Sequence, residues 1–214
     1  MHLEFFLEEP SAAAFLAGIL PRILPAGATW RSIIFQGKRD LLGRLESRLR
    51  AYRRDAGNHL KIVVLIDQDR EDCRSLKRKL EGAAASAGLR TRSTAGGGPV
   101  TVLNRIAIEE LEAWYLGDPA ALCAAYPGVP VNLGKKARFR NPDEVPGGTW
   151  EALERILQHA GHFPGGLGKI RLAQTVAPFM NPRENRSPSF HQFLRGLDSL
   201  FPDRPQDVAP GHST

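Results

Sequence analysis

The chain has 214 residues, 42% hydrophobic and 24% charged, enough for one domain with a good core or for a core plus a helical appendage. Its apolar runs are too short to span a bilayer, "MHLEFFLEEP" carries acids where a signal peptide is basic, and its two cysteines lack metal-ligand spacing. These features argue against membrane, secreted and disulfide-stapled classes and lead us to expect a cytoplasmic protein. A formal charge of +6 and a pI of about 9.7 favour an acidic partner, with nucleic acid first.

In chain order, residues 3–8 ("LEFFLE") read as a strand, and "PSAAAFLAGIL" as a helix with Pro10 in its first turn. Residues 29–35 ("TWRSIIF") are a second strand. Residues 39–54 form an amphipathic helix with Leu41, Leu45, Leu49 and Tyr52 on one face. "KIVVLI" is a third strand, and its continuous apolar run suits a parallel sheet covered on both faces. A helix over 70–87 and a strand over 99–108 follow. The alternation predicts an α/β protein, a Rossmann-like parallel sheet of about four strands flanked by helices. After residue 118 the pattern becomes helical, interrupted by a basic, turn-rich loop at 134–148. Asp118 and Pro119 cap and start one helix, and Thr149 starts another. The expected organisation is an α/β domain at 1–118, a helical extension packed on it at 119–201, and a disordered tail at 202–214.

In open α/β sheets ligands bind beyond the carboxyl ends of the strands. By this assignment Glu8 ends the first strand, Asp67 and Asp69 end the third, and Glu110 and Glu112 follow the fourth. Carboxylates gathered on one rim repel, and a divalent cation relieves that repulsion. Oxygen ligands select Mg²⁺ or Mn²⁺ over zinc. In an extended chain Asp67 and Asp69 point the same way and can face one ion. The competing reading makes one of them a helix cap, and makes Glu71 and Asp72 charges that favour the helix N-terminus. Glu9, just before Pro10, is read as interacting with the N-terminus of the following helix. If "EELEAW" is helical, Glu110 and Glu112 sit about 200° apart. If Glu110 is still extended, both point to one side.

Glu8 after a first strand, with "LIDQD" after a third, resembles the Toprim domain of topoisomerases, primases, RNA-maturing nucleases and overcoming-lysogenisation-defect nucleases. The segments "FLEEPSAAAFL", "VVLIDQDRED", "IEELEAWYLGD", "GGTWEALERIL" and "NRSPSF" extend the resemblance to nearly the whole chain. There it is similar to the bacterial family catalogued as domain of unknown function 4276, regarded as Toprim-like. The resemblance implies a Toprim-like sheet and a nuclease acting on DNA or RNA. Glu8, Asp67 and Asp69 would be its metal-binding and catalytic acids, assisted by Glu112. It also implies a place in phage defence beside a partner ATPase. The chain itself has no P-loop motif. Glu9 stands where Toprim domains usually carry glycine, a departure that favours the alternative of a non-catalytic module binding nucleotide, nucleic acid or an ATPase partner. An aspartyl phosphotransfer domain built on Asp67 is a third class, against which the helical second half argues.

Lys169 opens a helix, where its charge opposes the macrodipole. It is read either as a solvated lysine or as a catalytic partner of a scissile phosphate, as in some Toprim-like nucleases. With the five site acids set aside, the 29 Lys and Arg dominate the remaining chain. Lys135, Lys136, Arg138 and Arg140 surround Phe139, giving a candidate nucleic-acid-binding loop in which Phe139 stacks on a base. His159 and His162 lack the further ligands of a zinc site, and Trp114 and Tyr115 are expected in the core.

Overall fold

A computed structural model describes residues 1–57 and 59–202. Apart from Pro202, the tail expected to be disordered lies outside these residues. Four parallel strands form one sheet in the order β2-β1-β3-β4: β1 (His2–Leu7), β2 (Thr29–Ile34), β3 (Leu60–Asp67) and β4 (Val102–Ala107). The chain steps from β1 to β2 on one side, then crosses to β3 on the other. The crevice at the carboxyl ends of β1 and β3 is therefore the topological switch point, where ligands of such sheets bind.

Strand periodicity of two sorts the core into two layers. Phe6, Ile62, Val64, Ile66 and Val102 face α2 (Lys38–Ala51) and α3 (Cys73–Ser86), meeting Leu41, Leu45 and Leu49 of the first and Leu76, Leu80 and Ala84 of the second. Leu3, Phe5, Leu7, Val63, Leu65 and Leu103 face the other way. They join α1 (Pro10–Ile23) and the helices of the second half in one continuous cluster. Those helices are α4 (Glu112–Leu116), α5 (Pro119–Ala125), α6 (Thr149–His159), α7 (Lys169–Val176) and α8 (Pro188–Asp198). The β3 run is buried on both faces, as its unbroken apolar sequence requires.

Two devices bring the helical half onto the sheet. Gly18 of α1 lets the chain at Ala177 come close; a Cβ there would lie 2.7 Å from Ala177 Cβ. "NRSPSF" forms a buried latch. Asp143 accepts from the Ser187 hydroxyl at 2.5 Å and the Ser189 amide at 2.7 Å, while Trp114 donates its indole N–H to the Ser189 hydroxyl at 2.8 Å. Ser187 also caps α8, and Asp118 caps α5. No helix among the described residues is long and apolar enough to cross a membrane.

Candidate functional site

Three chain segments deliver carboxylates to the switch-point crevice. Glu8 and Glu9 follow β1, Asp67 is the last residue of β3, and Glu110 and Glu112 follow β4. Glu110 precedes α4 and Glu112 opens it, yet both reach the same cation. The Lys169 ammonium at the start of α7 lies 3.5 Å from Glu112, 3.7 Å from Glu110 and 3.9 Å from Glu9. These acids explain why a lysine stands in a first helical turn: local carboxylates outweigh the dipole. Burial lowers the Lys169 proton affinity, but Glu112, Glu9, Glu110 and Asp67 together raise it.

The acids are held against their ionisation. Burial, then the like charges of Glu112, Glu8 and Glu9, push Asp67 well above the usual carboxylate range, with Lys169 opposing. Burial raises Glu8, and Asp69 and Glu9 add to it, against Lys38 and the Asp67 backbone amide. Burial takes Glu110 up to about 7, Lys169 pulling down while Glu112, Asp69 and Glu151 push up. Burial likewise raises Glu112, which is 1% exposed, with Lys169 again opposing. Glu8, Glu110 and Glu112 each bury an Oε2 atom with no hydrogen-bond donor. Beneath them the Tyr115 hydroxyl is also buried without a partner, its proton retained by burial and by the charges of Glu112 and Asp67.

Asp69 departs from the arrangement expected of it. Its φ of 51° takes it out of the extended conformation, so the rule that residues two apart share a face does not hold between Asp67 and Asp69. Asp69 donates its amide to Glu109 O at 2.7 Å, and Glu109 is itself at φ 59°. Left-handed backbone at two non-glycine residues in adjoining loops marks local strain at the crevice rim. The Asp69 carboxylate turns outward to Lys38 Nζ at 2.5 Å; Lys38 also donates to Gln68 O at 3.1 Å. Glu71 and Asp72 serve the helix start. Asp72 accepts from the Ser75 amide at 2.8 Å, and Glu71 pairs with Lys79 at 2.8 Å.

The structure adds Lys38 to the crevice rim and gives Glu9, at the N-cap of α1, a further partner in Lys169. Lys38 opens α2 and so opposes a dipole just as Lys169 does; that same signal marks it. Glu9 makes no side-chain bond to the N-terminal amides of α1. It accepts from the Ser11 hydroxyl and faces Lys169.

The basic loop needs one correction. It folds into two 3-10 turns, Leu133–Lys135 and Ala137–Phe139. Lys135, Lys136, Arg138 and Arg140 are exposed, but Phe139 is 4% exposed and packs into the core. Its apolar ring gains more from the core than from water, so it is no projecting platform for a base. The Arg138 guanidinium lies 5.2 Å from its ring centre. Lys136 and Arg138 rim a groove of about 440 Å³ that Phe139, Arg155 and His159 also line. His159 and His162 bond backbone carbonyls, of Arg155 and Pro127.

The donor set fits a hard divalent cation: acids only, several with buried oxygens lacking donors. The crevice is not a finished cage. Among the described residues no group of three or more His, Cys, Asp or Glu side chains is arranged to hold a metal ion. Among the described residues Lys169 brings positive charge to Glu9, Glu110 and Glu112, and Lys38 brings it to Glu8 and Asp69.

An all-parallel sheet with acids gathered at its switch point defines an α/β protein with a polar crevice site. The chain belongs to the family described as Domain of unknown function (DUF4276), whose model matches residues 7–198. No curated protein and no solved structure gives a match.

Proposed function

We propose that the chain is a Toprim-like, divalent-metal-dependent nuclease that hydrolyses phosphodiesters of DNA or RNA. The observation that carries this reading is the convergence, at the switch point, of carboxylates from three separate strand ends, with Glu8, Glu110 and Glu112 each burying an oxygen that lacks a donor. Burying acids this way costs the fold stability unless a ligand uses them. Asp67 and Glu8 would hold Mg²⁺ or Mn²⁺, with Glu110 and Glu112 completing the set. The ion, when bound, supplies Lewis-acid polarisation of a phosphate and a more acidic water. Where Glu110 stays off the ion, its carboxyl, raised by burial to about 7, suits proton transfer. Lys169, at the mouth of the same acids, would pair with a phosphate oxygen. Asp69 acts from the rim through Lys38. Exposed Lys135, Lys136, Arg138 and Arg140 supply backbone attraction without base reading.

A second reading is a non-catalytic module that binds nucleotide, nucleic acid or a partner ATPase. It is favoured by the Lys169 ammonium already pairing with Glu9, Glu110 and Glu112 and by the lack of a ready ion cage among the described residues. A role in phage defence belongs with either reading, and any ATP hydrolysis would come from the partner.

The test is cleavage of labelled single- and double-stranded DNA and RNA with Mn²⁺, by wild type and Asp67→Asn. We expect metal-dependent cleavage that falls at least about a hundredfold in the variant. Undiminished cleavage by Asp67→Asn refutes the assignment, and binding without turnover supports the second reading.

A further inference from the structure

Away from the acids, β4 is an outer strand of the sheet, and a groove of about 310 Å³ runs along its edge between α3 and α8. Lys77, Glu81, Arg92, Ser93, Arg105 and Gln192 line it. Arg105 projects from β4, half-buried. It donates Nε–H to Gln192 O at 2.8 Å and Nη1–H to Asn104 O at 2.9 Å. Among the described residues no carboxylate stands within ion-pair distance of it.

The groove's own acid makes no ion pair with Arg105 and gives its oxygens to other donors. Glu81 accepts from Lys77 at 2.9 Å, from Asn104 at 2.9 Å, and from the hydroxyls of Thr91 and Ser93. Arg105 instead has Arg92 and Arg195 for neighbours. Burial and Arg92 bring its proton affinity down to about 10, Glu81 opposing and Arg195 adding. Without an ion pair of its own, this half-buried guanidinium among like charges is compensated only at a distance by Glu81, and an anion seated in the groove completes that compensation.

The site is also built for that guanidinium. Gly196 stands in the last turn of α8, where glycine is a poorer helix former than alanine. A Cβ at Gly196 would lie 2.3 Å from Arg105 Nη2 and 2.4 Å from Nε. The missing side chain is the space the guanidinium occupies.

We infer that this groove is a phosphate-binding site, in which Arg105 pairs with the phosphate oxyanion while Arg92, which also lines it, adds charge. The ligand is a phosphate group, free or within a polynucleotide backbone. Arg105 lies two residues before the carboxyl end of β4, about 7 Å along the strand from the end that opens on the acids. A backbone seated here is therefore led toward the crevice.

The full-length protein is titrated in EDTA against inorganic phosphate and against a fluorescent single-stranded 12-mer, as wild type, Arg105→Gln and Gly196→Ala. Gly196→Ala keeps every charge, places a better helix former in α8, and displaces only the flexible end of Arg105. We expect both variants to weaken 12-mer binding about tenfold or more. Arg105→Gln should also flatten the salt dependence by about 0.7 in log–log slope. Millimolar inorganic phosphate that competes with the 12-mer identifies the isolated phosphate group as sufficient. Variant-sensitive 12-mer binding without such competition identifies the polymer backbone. Wild-type affinity for both probes in both variants overturns the inference. EDTA and an Asp67→Asn control separate this outcome from failure of the metal reading.

Discussion

Glu110→Gln should make the protein more stable at pH 8 and leave it unchanged at pH 4.5. Burial raises the Glu110 carboxyl from 4.5 to about 7 even with Lys169 only 3.7 Å away. The fold therefore favours the protonated acid. An acid whose folded pKa exceeds its unfolded one contributes its stability fully below the unfolded value and loses it as pH rises to the folded value. For Glu110 that window runs from 4.5 to about 7. Above it, ionising the buried group costs about 3 kcal/mol, at 1.36 kcal/mol per pH unit across the window. Glutamine keeps the shape of the protonated acid and avoids that cost. Urea unfolding in EDTA should find the variant about 3 kcal/mol more stable at pH 8, or about 6–12 °C higher in Tm for a chain of this size. At pH 4.5 the two curves should coincide. Adding Mg²⁺ at pH 8 should narrow the gap by stabilising the wild type. A variant no more stable than wild type at pH 8 refutes the claim that this carboxylate is held against its preference.

Lys169→Met removes the cation shared by Glu9, Glu110 and Glu112 and should cost about 3–5 kcal/mol at pH 8. Because Glu110, raised by burial to about 7, is neutral in mild acid, its share of the loss should vanish toward pH 5, as denaturation at the two pH values would register. Phe139→Ala should cost about 3–5 kcal/mol of stability, the mark of a core ring. If it instead folds with wild-type stability and loses oligonucleotide affinity, the ring is a base platform after all. Glu81, drawn down to about 2 by its four donors against the effect of burial, stabilises the fold above 4.5 and loses that contribution as pH falls toward 2. Glu81→Gln should therefore cost about 3 kcal/mol at pH 7 in urea titrations, and progressively less below 4.5.

The sheet was legible because its strands announce themselves. The apolar run Ile62–Ile66 ends in Asp67, and a strand buried on both faces takes an acid without an ion-pair partner most readily at its mouth. Lys169 was legible through a local conflict, a positive charge at the positive end of a helix. Asp69 misled because its left-handed backbone is imposed by pairing with the Glu109 loop, a contact 40 residues away in sequence. Phe139 misled because its neighbours in sequence are basic, whereas its neighbours in space are the core of the helical half. Glu9 took its role from α7, and Arg105 from a glycine in α8; neither partner can be assigned from local pattern. Local chemistry located the strand-end acids, and tertiary packing decided which of them share a cation.

The proposed hydrolysis depends on a divalent metal held by the switch-point acids. A crystal soaked in Mn²⁺ at pH 8 and measured at the manganese edge tests it most directly. The account predicts one strong anomalous peak in the crevice between Asp67 and Glu8, with Glu110 or Glu112 turned toward it, and its disappearance in Asp67→Asn. An empty crevice in the wild-type crystal, or manganese bound only at the rim by Asp69 and Glu71, would contradict it.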